Sequence, residues 1–222
     1  MRHPRSGDSG QAFPVYITVI GGLLFLAFVY FVVAQASVLR SGGQTAADAA
    51  ALAAAQDARR QLREGWREVI LDPDSWGGFL QGRGYDRGAA CERAAQYAHD
   101  NDAEMSDADC SDQPSGDGIE FRVHISTSGT VGKSIVPNSD RSAEATATAI
   151  LEPRCFFDAP EPTPPPTTPA PTGSATPEPT PTPSPEPEPI TGLVCDGVEW
   201  TIDPEDPQLP GAADLFSVRL VD

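Results

Sequence analysis

The chain has 222 residues and a formal net charge of −17, from 32 acidic against 15 basic side chains. Two stretches cannot join a water-soluble core: residues 13–39 are almost wholly apolar, and residues 160–189 hold 14 of the 23 prolines. The remainder is too short for a large enzyme scaffold such as a β/α barrel, and its acidity would repel a nucleic-acid backbone.

The negative surplus lies after the apolar stretch. Arg2, Arg5 and Arg40 face Asp8 alone, whereas the rest of the chain carries 12 basic and 31 acidic residues. Residues 1–12 form a short polar N-terminus and residues 13–39 a transmembrane helix. No charge occurs between residues 11 and 39. As a helix, residues 13–39 would be roughly 40 Å long, against a hydrocarbon core of ~30 Å. Ala34-Gln35-Ala36 matches the cleavage pattern of a secretory signal, but a signal's apolar region runs only about 7–15 residues, so length favours a retained anchor. The positive-inside rule does not decide the orientation, because Arg59, Arg60 and Arg63 follow Arg40 on the far side. Four cysteines, a Thr/Pro-rich stretch and the acidity all follow the span and suit an oxidising exterior. The N-terminus is therefore placed in the cytoplasm and the C-terminal domain outside the cell membrane.

Nine of the thirteen residues 46–58 are alanine, the best helix former. Leu52, Ala55, Leu62, Trp66 and Val69 recur at spacings of 3 and 4, which predicts a helix over residues 44–71 within a segment 40–72. Asp72-Pro73 ends it, since a residue before proline avoids the helical region. Gly42-Gly43 is a potential hinge against the membrane helix. The run Gln44, Ala46, Ala47, Asp48, Ala50, Ala51, Leu52 and Ala54 is the candidate helix-packing surface, because small side chains admit a close backbone. Its partner is either another subunit or the chain's own domain.

Residues 73–159 read as an extracytoplasmic α+β domain. Residues 75–88 are irregular, with Trp76, Phe79 and Tyr85 capping the core. A second helix is expected over residues 87–103, then an acidic loop over 106–118. Ile119, Phe121, Val123 and Ile125 alternate with polar residues and predict a strand; Ala145, Ala147, Ala149 and Leu151 predict its partner. Alanine on that buried face implies a helix lying close against the sheet. Pro137-Asn138 marks the turn. Residues 160–189 form a Pro/Thr-rich disordered segment with polyproline II character, able to reach roughly 90 Å if extended and open to O-glycosylation. Residues 190–222 are expected as a C-terminal β-hairpin, with strands near 193–202 and 215–221 that either join the small antiparallel sheet or stand as a separate hairpin.

Cys91, Cys110, Cys155 and Cys195 permit three pairings. The preferred one joins Cys91 to Cys110 and Cys155 to Cys195, the second bond closing the Pro-rich stretch into a loop. No metal site or cofactor is expected. There is no C-x-x-C pair, and only His3, His99 and His124 are available. Gly132-Lys133-Ser134 lacks the first glycine of a phosphate loop, which would fall at Thr127, and Pro137 obstructs the following helix. Asp100-Asn101-Asp102 and Asp107-Ala108-Asp109 resemble pieces of a calcium loop, but in the first Met105 occupies the glycine position and Ser111 the acidic one. His124 shows no carboxylate and nucleophile partners for a triad. No residue is assigned to catalysis.

Asp8-Ser9-Gly10-Gln11-Ala12-Phe13-Pro14, the apolar helix, and then Gln44-Thr45-Ala46-Ala47-Asp48-Ala49-Ala50-Ala51-Leu52-Ala53 together resemble the TadE/TadG-like family of tight-adherence (Flp-type) pilus assembly proteins. The resemblance covers about residues 8–58. It implies a bitopic, pilin-like, non-enzymatic protein whose partners are the membrane and other pilus-assembly proteins. Gly10 is the candidate leader-cleavage point. Processed prepilins carry glutamate five residues further on, where this chain has Val15, so the resemblance implies a TadG-like, permanently anchored role rather than a processed subunit. The alternative is a membrane-anchored binding module whose Pro-rich stalk reaches a surface or cell-wall ligand.

Overall fold

A computed structural model describes residues 12–116, 118–131, 141–159 and 188–221. Gly10, the Gly132-Lys133-Ser134 run, the Pro137-Asn138 turn and residues 160–187 of the Pro-rich stretch lie outside the described residues. The fold is α+β: a very long N-terminal apolar helix, further helices and small antiparallel sheets.

Helix α1 (Ala12–Glu68) runs for 57 residues without a break, about 85 Å at the α-helical rise. Pro14 lies in its first turn, where a missing N–H leaves no internal acceptor unpaired. The Gly42-Gly43 pair lies inside the helix and does not end it. Gly43 is buried, and a methyl group there would meet Thr127 Cγ2 at 3.1 Å, so glycine lets the helix press against a strand. The regular helix stops at Glu68, short of the expected residue 71. Val69 and Ile70 donate to Trp66 and Arg67 in a tighter final turn, and the Trp76 indole N–H takes the Val69 carbonyl at 3.0 Å. The same carbonyl also accepts from the Asp72 N–H at 2.9 Å, so both donors close the chain just past the helix end.

Helix α2 (Trp76–Leu80) and helix α3 (Arg87–Asp100) follow. Asp86 caps α3 by accepting from the backbone N–H groups of Gly88 (2.7 Å) and Ala89 (3.3 Å). The main sheet is built around strand β3 (Gly118–Val131) and strand β4 (Arg141–Pro153). Strands β1 (Ala103–Glu104) and β2 (Cys110–Ser115) both pair with one edge of β3. Residues 110–115 are thus a paired strand where an acidic loop was expected; Cys110 is buried and anchors them. Across the central pair Phe121 faces Ala149, Val123 faces Ala147 and Ile125 faces Ala145. These three large side chains of β3 each stand beside a methyl on β4, whereas Ile119 faces Leu151.

The C-terminal region is divided between two sheets. Strands β5 (Cys155–Phe157), β6 (Ile190–Cys195) and β7 (Val198–Ile202) make a second antiparallel sheet. After the one-turn helix α4 (Ala212–Leu215), strand β8 (Phe216–Val221) returns to pair with β4. The single strand expected over 193–202 is instead a hairpin. Asp196 (φ 49°) and Gly197 (φ 78°) form its two-residue turn, and positive φ at both positions suits the right-handed strand twist.

The C-terminal half of α1 is the centre of the head. Ala46, Ala47, Ala50, Ala51, Ala54, Ala55, Ala58, Leu62 and Trp66 are fully buried, in one cluster with Ala90, Ala94 and Ala98 of α3 and Phe121, Val123, Ile125, Ala149 and Leu151 of the sheet. Trp66, Trp76 and Phe157 stack edge-to-face with centroids 5.5 and 4.8 Å apart, joining the end of α1 to α2 and β5.

Ala54→Leu adds three heavy atoms to a filled core and should destabilise the head by about 1–3 kcal/mol, seen as a lower urea midpoint for the detergent-solubilised protein. At the sheet edge, Arg219 grips the Glu152 carboxylate with two donors at 2.8 and 3.2 Å, holding it below its usual 4.5. A carboxyl with a depressed folded pKa stabilises the fold above its unfolded pKa, and the contribution vanishes as pH falls through the folded value. Glu152→Gln should lower the midpoint at neutral pH, with the gap to the parent protein closing in acid.

Candidate functional site

Among the described residues the N-terminal half of α1 has no packing partner over most of its length. Phe13, Val15, Tyr16, Ile17, Leu23, Leu24, Phe25, Leu26, Phe31 and Val33 are each more than half exposed, and none of the best 18-residue window is buried, at a mean hydropathy of 2.6. An apolar surface of this length is not tolerated in water. It is long and apolar enough to cross a bilayer. Its backbone satisfies the requirement of lipid, because every interior N–H and C=O is paired within the helix. The Thr18 hydroxyl is also satisfied internally, donating to the Val15 carbonyl at 2.9 Å. One N-terminal apolar helix of this kind is a candidate membrane anchor.

The expected helix-packing surface lies elsewhere. Ala46, Ala47, Ala50, Ala51 and Ala54 are wholly buried, and Asp48 and Leu52 are half-buried, all within the chain's own head. Gln44 is exposed, but its amide donates to Asp48 (2.8 Å) and to the Thr146 carbonyl of β4 (3.4 Å). Of the two partners open in the sequence, the structure has the chain's own α3 and sheet occupying these alanines, leaving none of their surface to another subunit.

Both disulfides lie in the head, Cys91 with Cys110 and Cys155 with Cys195. The first ties α3 to β2. The second sits on the β5–β6 ladder, where Cys155 faces Cys195, Phe156 faces Val194 and Phe157 faces Leu193. Asp158 N–H then donates to the Gly192 carbonyl at 2.9 Å. Gly192 has φ 96°, and a methyl group there would collide with the Asp158 carbonyl, so glycine is required at this closure. The chain therefore leaves toward the Pro-rich stretch and returns from it at adjacent points.

Other polar groups cluster without converging on a reactive centre. His124, which showed no partner in sequence, lies between Asp109 (3.6 Å) and Glu144 (3.9 Å), brought there by strand pairing and the turn before β2. The Ser106 hydroxyl and backbone N–H hold the Asp109 carboxyl below its usual range, with His124 acting in the same direction. Tyr85 donates to Asp112, which also takes Arg87 at 2.9 Å. Burial and then the Asp112 carboxylate push the Tyr85 phenol well above its usual value. Asp57, almost fully buried, accepts from Arg60 and from Gln61 (2.6 Å). Among the described residues no group of three or more His, Cys, Asp or Glu is placed to hold a metal ion.

Replacing Cys155 and Cys195 together by serine releases a loop of sequence separation 40 and should cost roughly 3–4 kcal/mol by the chain-entropy relation. Urea unfolding of the oxidised double variant beside the parent protein measures it.

Residues 10–57 match the Tad family model, described as Flp pilus-assembly TadE/G-like. No curated protein and no solved structure matches the chain. The matched segment includes the exposed apolar half of α1 and the alanine run that enters the core, and it ends at the buried Asp57. From Ala12 to Asp57 the helix on which the head is built lies within this match and is similar to TadE/G-like Flp pilus-assembly proteins.

Proposed function

We propose that this chain is a non-enzymatic, single-pass membrane component of a Flp/Tad-type pilus assembly system, permanently anchored in the manner of a TadG-like protein. The observation that carries the reading is the continuity of α1. One TadE/G-like helix is apolar and unpartnered over its first half and is the core of a folded head over its second. The N-terminus lies in the cytoplasm and the head outside, a placement supported by two disulfides that persist in an oxidising compartment.

The buried alanines alter the mechanism expected from sequence. Contacts with other assembly proteins are made by the lipid-embedded half of α1, where small residues such as Gly21 and Gly22 have open space beside them, and by the outside of the head. Residues 46–54 serve assembly only by holding the head together. A second reading, an anchored module binding a surface or cell-wall ligand, is favoured by the disulfide-closed base of the Pro-rich stretch, which displays that stretch from one point.

Two measurements test these readings. A membrane-impermeant maleimide should label Thr201→Cys on intact cells; labelling only after lysis reverses the orientation. An immunoblot should find the protein in washed membranes and not in sheared surface filaments. Protein in the filaments would make it a built-in subunit and bring cleavage at Gly10 back into play, while unchanged pili after gene deletion would favour the binding module.

A further inference from the structure

The helix and the sheet fix the height of the head above the membrane. No linker separates the apolar half of α1 from the half buried in the head, so the two move as one rod. Strand β3 runs down this rod toward the apolar end. At its upper end Ile119 lies beside Gly82, whose neighbourhood is joined to Gly65 of α1 through Phe79. Lower down, Thr127, Ala143 and Ala145 surround Gly43, and lower still Gly129 lies against Leu39, where an added methyl would stand 3.2 Å from Leu39 Cδ1. Leu39 is half-buried by this contact while Ser37, Val38 and Arg40 on either side are exposed.

The descent of strand and helix can be compared. From Gly43 to Leu39 four helical residues advance about 6 Å, and from Thr127 to Gly129 two strand residues advance about 7 Å. Strand and helix therefore keep pace from the Gly43–Thr127 contact down to the Leu39–Gly129 contact. The charge-free stretch is roughly 10 Å longer than a hydrocarbon core, so its polar-flecked outer turns around Gln35, Ser37 and Arg40 fall in the headgroup layer. Gly129, which lies against Leu39, falls at the same level.

This end is built rigidly. The sheet register shifts between Ser126 and Thr130. The buried Thr127 hydroxyl bridges the irregularity, donating to the Gly129 carbonyl and accepting from the Ala143 N–H, both at 2.9 Å. Among the described residues, the Ser128 and Ser142 hydroxyls are exposed here, as are Glu144 on β4 and Arg40 on the neighbouring helix. The two hydroxyls and the guanidinium are suited to hydrogen bonding and charge pairing with phosphate.

We propose that the described parts of β3 and β4 nearest Leu39, around Ser128 and Ser142, form a membrane-contact surface that rests among the phospholipid headgroups of the outer leaflet. It gives the head a second footing beside α1 and stops it from tilting about the helix. This inference rests on the reading that residues 13–39 span the bilayer.

The test uses the full-length, disulfide-intact protein, whose four native cysteines are all paired and do not react with a thiol probe. Ser128→Cys, Ser142→Cys, Val33→Cys and Thr201→Cys are each labelled with a polarity-sensitive fluorophore. They are then reconstituted in vesicles of phosphatidylcholine and phosphatidylglycerol carrying a nitroxide on either the headgroup or the acyl chain. The headgroup nitroxide should quench probes at 128 and 142 several-fold more than at 201, and the acyl-chain nitroxide should quench the probe at 33. Equal quenching at 128, 142 and 201, with position 33 still quenched, overturns the footing and leaves the anchor intact. No acyl-chain quenching at 33 overturns the spanning reading and the footing with it. Two hairpin positions guard against one labelled variant being locally distorted.

Discussion

The structure depends on one unbroken ladder of backbone hydrogen bonds that passes from a lipid-like surface into a protein core. Over its first half α1 exposes apolar side chains all round, and over its second half it buries a run of alanines while Gln56, Arg60 and Glu64 face solvent. Both environments lack water to satisfy a free N–H or C=O, and a helix is the element that leaves none in its interior. A hinge at Gly42-Gly43 would expose carbonyls where the sheet packs against the helix. The close contact of Gly43 with Thr127 shows that glycine here serves proximity rather than bending.

The head is arranged around the thinness of that helix. An alanine-covered rod lets α3 and the sheet approach on different sides, and both answer with small residues: Ala90, Ala94 and Ala98 on α3, and Ala147 and Ala149 on β4. Volume is restored by Phe121, Val123 and Ile125 on β3 and by Leu62, Trp66 and Trp76 at the far end. A core this rich in methyl groups gains little from each side chain, and the two disulfides support it by restricting the unfolded chain. Closure of the Pro-rich stretch at its base also explains how residues 190–221 return to the same core. Cys155 and Cys195 hold β5 and β6 in register, and β8 pairs with the strand that leads into β5.

Several features could be read from residue pattern because they are local. The apolar stretch, the alanine run, the alternation of 119–125, the alanine face of 145–149 and the second helix from residue 87 follow from chemistry at short range. One local signal was there and was missed: Asp196-Gly197 is a two-residue hairpin turn, and it splits residues 190–202 into β6 and β7. The strand at 110–115 was harder to see, since its composition of Ser, Asp, Gln and Pro is that of a loop. It becomes a strand because β3 offers an unpaired edge and Cys110 is tied to α3.

The sequence by itself determined that the chain has an apolar anchor-like helix, a small α+β head and a Pro-rich interruption, because hydropathy and periodicity are properties of neighbouring residues. Only the tertiary structure decided what the alanines touch, since a helix face of small side chains fits a foreign subunit and its own domain equally well. Here α3 and the β3–β4 sheet fill that surface completely. The same holds for His124, whose carboxylate neighbours come from the turn before β2 and from β4, and for the level at which β3 meets Leu39. Each depends on distances between segments far apart in the chain, which are set when the core packs.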